Sequence, residues 1–352
     1  MTILGRPDDE GLPLQQRVTD PALTEGSILR PLLRLALPFA LANLLNQANL
    51  IIDRLWVGQV GTEALAALGI AHAALMVVMT LGMGMAVGTL AGVARSIGAR
   101  RPGDAAAVFG QGVLISLVTG TGLALSALFV PPWIMAFMGA EPAVAQPATD
   151  YLAVGLLGQL VGAPLMVVTF ALQGAGEANA ALKVSAVSPI VNAALDPIFI
   201  FTLGLGMPGA AWATNAALAV TLGVGVWVVR RGDLNLVVRR SGFRPDREVA
   251  AGILRIGVPG TLEHTVRTVA SFSLVKLLTA FGAIVLSAYT SVMVLLMTLI
   301  LPGIALGQAT ASLVGQNLGA EQPRRAWRTA WTSAGLYAAF MVVLGLALVF
   351  AA

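Results

Sequence analysis

Long apolar segments dominate this sequence and constrain its fold more than any other feature. A helix that crosses a bilayer needs roughly 20 mostly apolar residues. The sequence contains nine such segments with short loops between them: 32–57, 64–92, 105–130, 148–172, 182–204, 208–229, 250–278, 284–312 and 327–351. Only 11% of the 352 residues are charged, against roughly 25% in soluble domains. The sequence therefore predicts an all-α multi-pass membrane protein with the lipid bilayer as its solvent.

In the loops between the segments, lysine and arginine occur only in every second loop. The even-numbered loops hold Arg95, Arg100, Arg101, Lys183, Arg230, Arg231, Arg239, Arg240, Arg244, Arg247, Arg324, Arg325 and Arg328, and the odd-numbered loops hold none. The positive-inside rule then predicts a cytoplasmic N-terminus in the inner or plasma membrane. Loop position accounts for the net charge of +4, so we expect no nucleic-acid partner.

The sequence repeats itself at one fixed offset. The stretch "RLALP" at Arg34–Pro38 matches "RIGVP" at Arg255–Pro259, and "SIGARRP" at Ser96–Pro102 matches "NLGAEQP" at Asn317–Pro323. Both pairs are 221 residues apart. Six predicted spans separate the copies, and an even number predicts parallel repeats related by an axis along the membrane normal.

The repeat predicts the domain organisation. We expect a cytoplasmic tail at 1–31, a six-helix lobe at 32–230, a basic cytoplasmic linker at 231–249 and a partial second lobe of three helices at 250–352. The second copy ends where the first continues for three more helices, which favours a shortened chain. The sequence does not indicate an oligomeric state.

Polar residues inside the apolar segments are candidates for function, because a charge near the bilayer centre costs several kcal/mol. In the fifth segment Ser185, Ser188, Asn192 and Asp196 share an arc of about 80°, and in the first segment Asn43, Asn46, Asn49 and Asp53 share about 120°. Proline has no backbone N–H to donate, so we expect bends at Pro38, Pro197 and Pro259, in the first, fifth and seventh segments.

Depth in the membrane points to a group of four polar residues, one of them on the sixth segment. Counting from the outer helix ends, Asp53, Asp196 and Thr214 lie at a similar level in the outer half of the membrane, and Asn192 is one turn from Asp196. Two carboxylates, an amide and a hydroxyl at one level can bind a hard cation such as Na⁺, or the carboxylates can share a proton. The alternative is a stripe of hydrogen bonds that only joins helices.

The seventh segment carries a second set of polar residues. Glu263 and Arg267 are four residues apart, so they form either an internal ion pair or part of a site for substrate or protons. We take Asn46, Asn49, Glu263 and Arg267 as candidates for lining a substrate cleft. Arg54 follows Asp53 directly, and if its side chain turns inward it weakens cation binding there.

The motifs of enzymes are missing or out of context. The chain has no cysteine, which removes thiolate chemistry. Gly204, Gly206 and Gly209 spell GxGxxG without a preceding strand, and no GxxxxGK[ST] stretch occurs. We therefore expect neither an enzyme nor a resident cofactor, only H⁺ or Na⁺ as a coupling ion.

Several stretches resemble the multidrug and toxic compound extrusion family of secondary transporters. "NAALDPIFIFTLGLGMPGAAWAT" at Asn192–Thr214 is similar to the signature of its fifth and sixth helices, particularly in the DinF-type branch. "IDRLWVGQVGTEALAALG" at Ile52–Gly69 resembles the end of its first helix, and "QGAGEA" at Gln173–Ala178 and "LVGQNLGAEQP" at Leu313–Pro323 resemble its cytoplasmic loops.

This resemblance implies two six-helix lobes around a central cleft and export of cationic or amphipathic compounds against entering H⁺ or Na⁺. It implies that Asp53, Asn192, Asp196 and Thr214 form the coupling site, and it matches Glu263 to an acidic position in the second lobe of some members. Two alternatives stay open, a lipid-linked saccharide flippase of the same superfamily and an inactive shortened protein. A flippase predicts an arginine-rich cleft, for which only Arg267 and Arg54 are available.

Overall fold

The computed structural model describes residues 21–138, 142–232, 234–279, 281 and 283–351, and this part of the chain contains helices but no strand. Beyond a short turn at Pro21–Thr24, the helices are α1 (Leu29–Gly58), α2 (Thr62–Gly98), α3 (Pro102–Ser126), α4 (Val130–Met138), α5 (Pro142–Leu157), α6 (Gln159–Gly174), α7 (Ala178–Pro197), α8 (Met207–Arg230), α9 (Arg247–Thr279), α10 (Ala283–Gly319) and α11 (Pro323–Ala351). Each of the nine predicted segments lies on these helices.

Length and composition support most of the predicted spans. Within the described residues, seven helices are long and apolar enough to cross a membrane, and the bent pair Val144–Leu157 and Gln159–Gly174 makes an eighth. The remaining predicted span is the seventh, 250–278, and lies on α9, which is 33 residues long but carries Arg255, Glu263 and Arg267 among its apolar residues. The protein is an all-α multi-pass membrane protein.

Bends were predicted at Pro38, Pro197 and Pro259, and the structure also has a break that was not predicted. Pro38 and Pro259 lie inside helices that continue past them. Pro197 ends α7 and is followed by one π-helical turn, Ile198–Thr202, a feature that often marks functional sites. The break occurs at Gly158, where α5 and α6 meet at 50°. The predicted segment 148–172 is therefore divided into two helices by a bend that was not predicted from the sequence.

The repeat of the sequence is present in the structure. Helix α10 begins and ends 221 residues after α2, and α11 begins 221 residues after α3. The turns between them share an unusual backbone, because Arg100 and the equivalent Glu321 have positive φ angles of 57° and 59°. Few residues other than glycine adopt this conformation, so its recurrence at the same offset indicates that both copies fold alike.

The two copies contact each other through α2 and α10, and the contact is reciprocal. A Cβ atom added to Gly98 would overlap the carbonyl oxygen of Gln316, and one added to Gly319 would overlap the carbonyl oxygen of Arg95. Each residue of one pair is the repeat equivalent of a residue in the other. The surface is therefore self-complementary, as at a two-fold axis, and glycine lets the two backbones meet.

Further contacts between the copies lie towards the same end of the helices, which we call the arginine-rich end because its loops hold Arg95, Arg100, Arg101 and Arg230–Arg247. Gly84 of α2 meets Gly257 of α9 backbone to backbone. Ser312 of α10 donates to the Gln173 carbonyl at 2.8 Å, and Gln316 donates to the Gly174 carbonyl at 3.1 Å. Glycine contacts and buried hydrogen bonds thus join the copies at this end.

The stretch 231–249, predicted to be a linker, is held against α3. Gln111 donates to the carbonyl oxygens of Gly242 and Arg244 at 3.0 and 2.7 Å and accepts from the Asp246 N–H at 3.1 Å. Leu236 is fully buried in the same stretch. The segment therefore forms an ordered cover on α3.

Two apolar cores fill the first copy. One lies towards the arginine-rich end and includes Phe39, Leu172 and Val184. The other lies towards the opposite end and includes Val57 and Ile200. Asp53 lies four residues before Val57, and Asp196 lies four residues before Ile200. Both acids therefore sit at the inner edge of the second core.

The reciprocal contact leads to a prediction about stability. Gly98→Ala and Gly319→Ala should each lower the free energy of unfolding by about 1–3 kcal/mol, since each methyl group would overlap backbone. Gly223→Ala on α8 is the matched control, because no atom lies within 4 Å of its Cβ position. Thermal unfolding of the purified protein measures the effect, and equal unfolding temperatures for Gly98→Ala and Gly223→Ala would contradict it.

Candidate functional site

Four polar residues from three helices meet inside the first copy. Helix α1 supplies Asp53, α7 supplies Asn192 and Asp196, and α8 supplies Thr214. Asp53 is 3% exposed, and Asn192 and Asp196 are 0% exposed. Polar groups buried to this extent need partners, because an uncompensated one costs several kcal/mol. The structure thus brings together the four residues that helix depth selected from the sequence.

Asn192 is the hub of this group. Its Nδ2 atom donates to Asp196 Oδ1 at 3.2 Å and to Thr214 Oγ1 at 3.1 Å. The side chain of Asp53 interacts with both Asp196 and Asn192. Because one amide reaches all three other members, it ties α1, α7 and α8 at one level.

The group holds more acceptors than donors. Asp53 Oδ1, Asn192 Oδ1 and Asp196 Oδ2 are buried and accept no hydrogen bond from the described residues, and the same holds for Asn49 Oδ1 one turn before Asp53. Buried acceptors in proteins normally have a partner. Oxygen atoms that converge without donors suit a proton shared between carboxylates or a hard cation such as Na⁺, which prefers oxygen ligands.

The cluster contains two carboxylates, one amide and one hydroxyl. No group of three or more histidine, cysteine or acidic side chains with metal-binding geometry occurs within the described parts of the chain. Two carboxylates carry two negative charges, so one bound monovalent cation leaves one of them uncompensated unless one carboxylate also holds a proton.

Tyr151 is a member of the site that the sequence analysis missed. It lies on α5, is 3% exposed, and is close enough to both Asp53 and Asp196 to interact with their charges. Its segment has no polar stripe, so helical periodicity gave no signal. The signal available was that it is one of three tyrosines in the chain and lies near the outer end of its predicted span.

Arg54 turns away from the carboxylates. Its side chain is exposed, and its charge acts on His72 of α2. The interactions of Asp53 are with Asp196 and Asn192 instead. The inward orientation of Arg54 that would weaken a cation site is therefore not adopted.

The substrate-cleft candidates are distributed over two helices. Asn46 is exposed and Asn49 is half-buried on α1. Glu263 and Arg267 form an ion pair with each other on α9, with side chains 65% and 69% exposed. This pair stands apart from the buried cluster, so the structure does not bring Glu263 into the cation site.

The chain is similar to a family model and to several known proteins. The family model described as MatE matches residues 38–198 and 259–352. The probable multidrug resistance protein NorM of Caulobacter vibrioides is 30% identical over 95% of this chain and 72% of its own length. The FAD transporter of Shewanella oneidensis is 25% identical over 92% of this chain and 74% of its own. The structure of a MOP superfamily transporter from Pyrococcus furiosus has a TM-score of 0.86 at 29% identity, over 94% of this chain and 74% of that one.

The free energy of unfolding tests whether Asn192 holds the cluster together. Asn192→Ala removes the donor to Asp196 and Thr214, and we expect it to lower the free energy of unfolding by about 1–3 kcal/mol. Asn46→Ala makes the same change at an exposed position and should stay within about 0.5 kcal/mol. Thermal unfolding compares the two, and an equal loss in both variants would show that Asn192 holds nothing together.

Proposed function

Because the chain belongs to the MatE family, whose members are transporters and not enzymes, we propose that it exports small cationic or amphipathic compounds in exchange for entering H⁺ or Na⁺. The observation that carries this proposal is the buried cluster of Asp53, Asn192, Asp196 and Thr214, with its converging oxygens. The name of the Caulobacter relative supports drugs or toxic compounds as cargo.

Electrostatics supply the coupling. Two unit charges about 4 Å apart repel by roughly 4 kcal/mol at an effective dielectric constant of about 20. A proton or Na⁺ between Asp53 and Asp196 removes this repulsion and lets α1 pack on α7, whereas loss of the cation drives the carboxylates apart. The cluster thus has two states that differ in the position of α1, and a ligand with different affinities for two states shifts their populations.

Helix α1 can carry this change to the second copy. Pro38 lacks the N–H that would bond the Arg34 carbonyl, so α1 bends there at little cost. Beyond Pro38, Asn43 donates to Gln308 of α10 at 3.3 Å. A movement of Asp53 therefore reaches the contact between the copies through a single helix.

Alternating access follows from where the copies touch. Their backbone contacts, Gly98 with Gln316 and Gly84 with Gly257, lie towards the arginine-rich end. If the positive-inside rule holds, this end is cytoplasmic and the structure is closed on that side. Export then requires these contacts to separate while cargo enters, and to form again before release outside.

The charge of the exposed residues favours a cationic cargo. A phosphate-bearing cargo, as for a lipid-linked saccharide, needs several free arginines. Here Arg267 is paired with Glu263, so of the two candidate arginines only Arg54 is left. The same argument separates this chain from its FAD-transporting relative, because FAD carries a diphosphate. Asn46 and Asn49 supply amide oxygens for a cation instead.

The coupling site is tested by neutralising its acids. Asp53→Asn and Asp196→Asn should each abolish the response of drug efflux to a cation gradient in proteoliposomes, because an amide cannot take up a proton and lacks the negative charge that holds Na⁺. Glu63→Gln is the control and should retain the response, since Glu63 is an exposed acid outside the cluster and outside the candidate cleft residues. Gradient-driven efflux retained in Asp196→Asn, or its absence in the unmodified chain, would contradict the proposal.

Separation of the two copies is tested by linking them. The chain has no cysteine, so Asn43→Cys and Gln308→Cys introduce the only thiols. A short bifunctional thiol reagent should join α1 to α10 and stop efflux, and reduction of a cleavable linker should restore it. Each single variant treated with the same reagent is the control. Undiminished efflux by the linked protein would mean that this contact need not open.

A further inference from the structure

Asn215 follows Thr214 directly on α8 and contacts a different helix. Successive residues on a helix point about 100° apart. Thr214 accepts from Asn192 of α7 at 3.1 Å, whereas Asn215 donates to the Val154 carbonyl of α5 at 2.7 Å. One turn of α8 thus joins the cation site to the end of α5.

The contact of Asn215 lies at the bend between α5 and α6. The Val154 carbonyl also accepts the backbone N–H of Gly158 at 3.0 Å, and the 50° bend follows at Gly158. The Val154 carbonyl is therefore shared between the helix ladder and the Asn215 side chain at the turn where the span bends, and side-chain bonds to the ladder are found at kinks. Pro164 removes a second ladder bond shortly after the bend, because it has no N–H for the Leu160 carbonyl.

Only glycine fits at position 158 while the Asn215 side chain keeps its place. A Cβ atom at this position would overlap Oδ1 of Asn215, with Asn215 Cγ 2.7 Å away. The glycine and the asparagine therefore fit each other. The amide nitrogen of Asn215 bonds α5 before the bend, and its oxygen fills the space beside the bend.

The bend determines where Tyr151 lies. Tyr151 is three residues before Val154 on α5, so the two share one helical turn. Tyr151 is buried beside Asp53 and Asp196. A change in the angle or rotation of the last turn of α5 would therefore move the phenol relative to both carboxylates.

We propose that Asn215 is a positioning residue that holds the bent α5–α6 span so that Tyr151 stays against the carboxylates of the cation site. Asn215 acts through Val154 and Gly158 and does not contact the cation. This inference rests on the proposed function, since it assigns Asn215 to the coupling site. An amide is required here, because a carboxylate at this position would set a negative oxygen against the Val154 carbonyl.

The first test separates cation affinity from maximal rate. Asn215→Asp and Asn215→Ala should raise the cation concentration that gives half-maximal efflux by about tenfold or more, the usual effect of losing a group that orients a ligand. The maximal rate at saturating cation should fall far less. Asn179→Asp, the same change at an exposed position on α7, should leave both quantities unchanged.

A second variant keeps the test decisive if a change at Asn215 impairs folding. Gly158→Ala should raise the half-maximal cation concentration in the same direction. Gly162→Ala on α6, where no atom lies closer than 3.6 Å to the Cβ position, should not. The double variant Gly158→Ala with Asn215→Ala should be no worse than the poorer single variant, because both act on one contact.

Asp196→Asn in the same assay distinguishes two kinds of failure. If Asp196→Asn loses its cation response while the Asn215 and Gly158 variants keep the unmodified half-maximal concentration, only the positioning role is overturned. If Asp196→Asn keeps its cation response, the proposed coupling site fails, whatever the Asn215 variants show.

Discussion

The approach of two carboxylates inside an apolar helix bundle is the constraint on which the rest of this structure depends. Asp53 and Asp196 come from helices far apart in the chain and are almost fully buried. Such a pair is costly unless a proton, a cation or donors compensate it, and the only amide donor from the described residues is Asn192. Under the proposed function, whatever balances this charge holds the three helices together, so that their packing responds to a cation.

The repeat explains how a local change of this kind can affect the whole molecule. The copies meet through glycine contacts that are equivalent under the 221-residue offset, so the contact resembles that of a symmetric dimer. Close backbone packing of this kind tolerates few intermediate arrangements, because small shifts create overlaps or gaps. An interface that is either formed or separated suits a transporter that alternates between two states.

Much of the fold and part of the site could be predicted from the sequence for physical reasons. Span length and apolar composition follow from bilayer thickness, and a constant offset without gaps identifies a structural repeat. Helix geometry also placed Asp53, Asp196 and Thr214 at one level. Tyr151 escaped because a single aromatic residue in an apolar segment leaves no periodic signal.

The bend at Gly158 was hidden for a different reason. Asn215 lies beside the bend but is 57 residues away from Gly158 in sequence, and the bond from its amide to the Val154 carbonyl exists only after α8 packs on α5. Likewise, the Arg54 side chain could have faced either side of its helix. Only the folded structure shows that it is exposed and that its charge acts on His72. Contacts between distant segments of this kind have no counterpart in local sequence.

In the proposed antiport, a cation gradient alone drives the cargo across the membrane. Proteoliposomes with equal cargo concentrations on both sides test this when a gradient of H⁺ at zero sodium, or of Na⁺ at constant pH, is imposed across the membrane. Cargo should accumulate on the side from which the cation enters, for one of these ions at least. Cargo that stays equally distributed under both gradients, in protein that still equilibrates cargo, would contradict it.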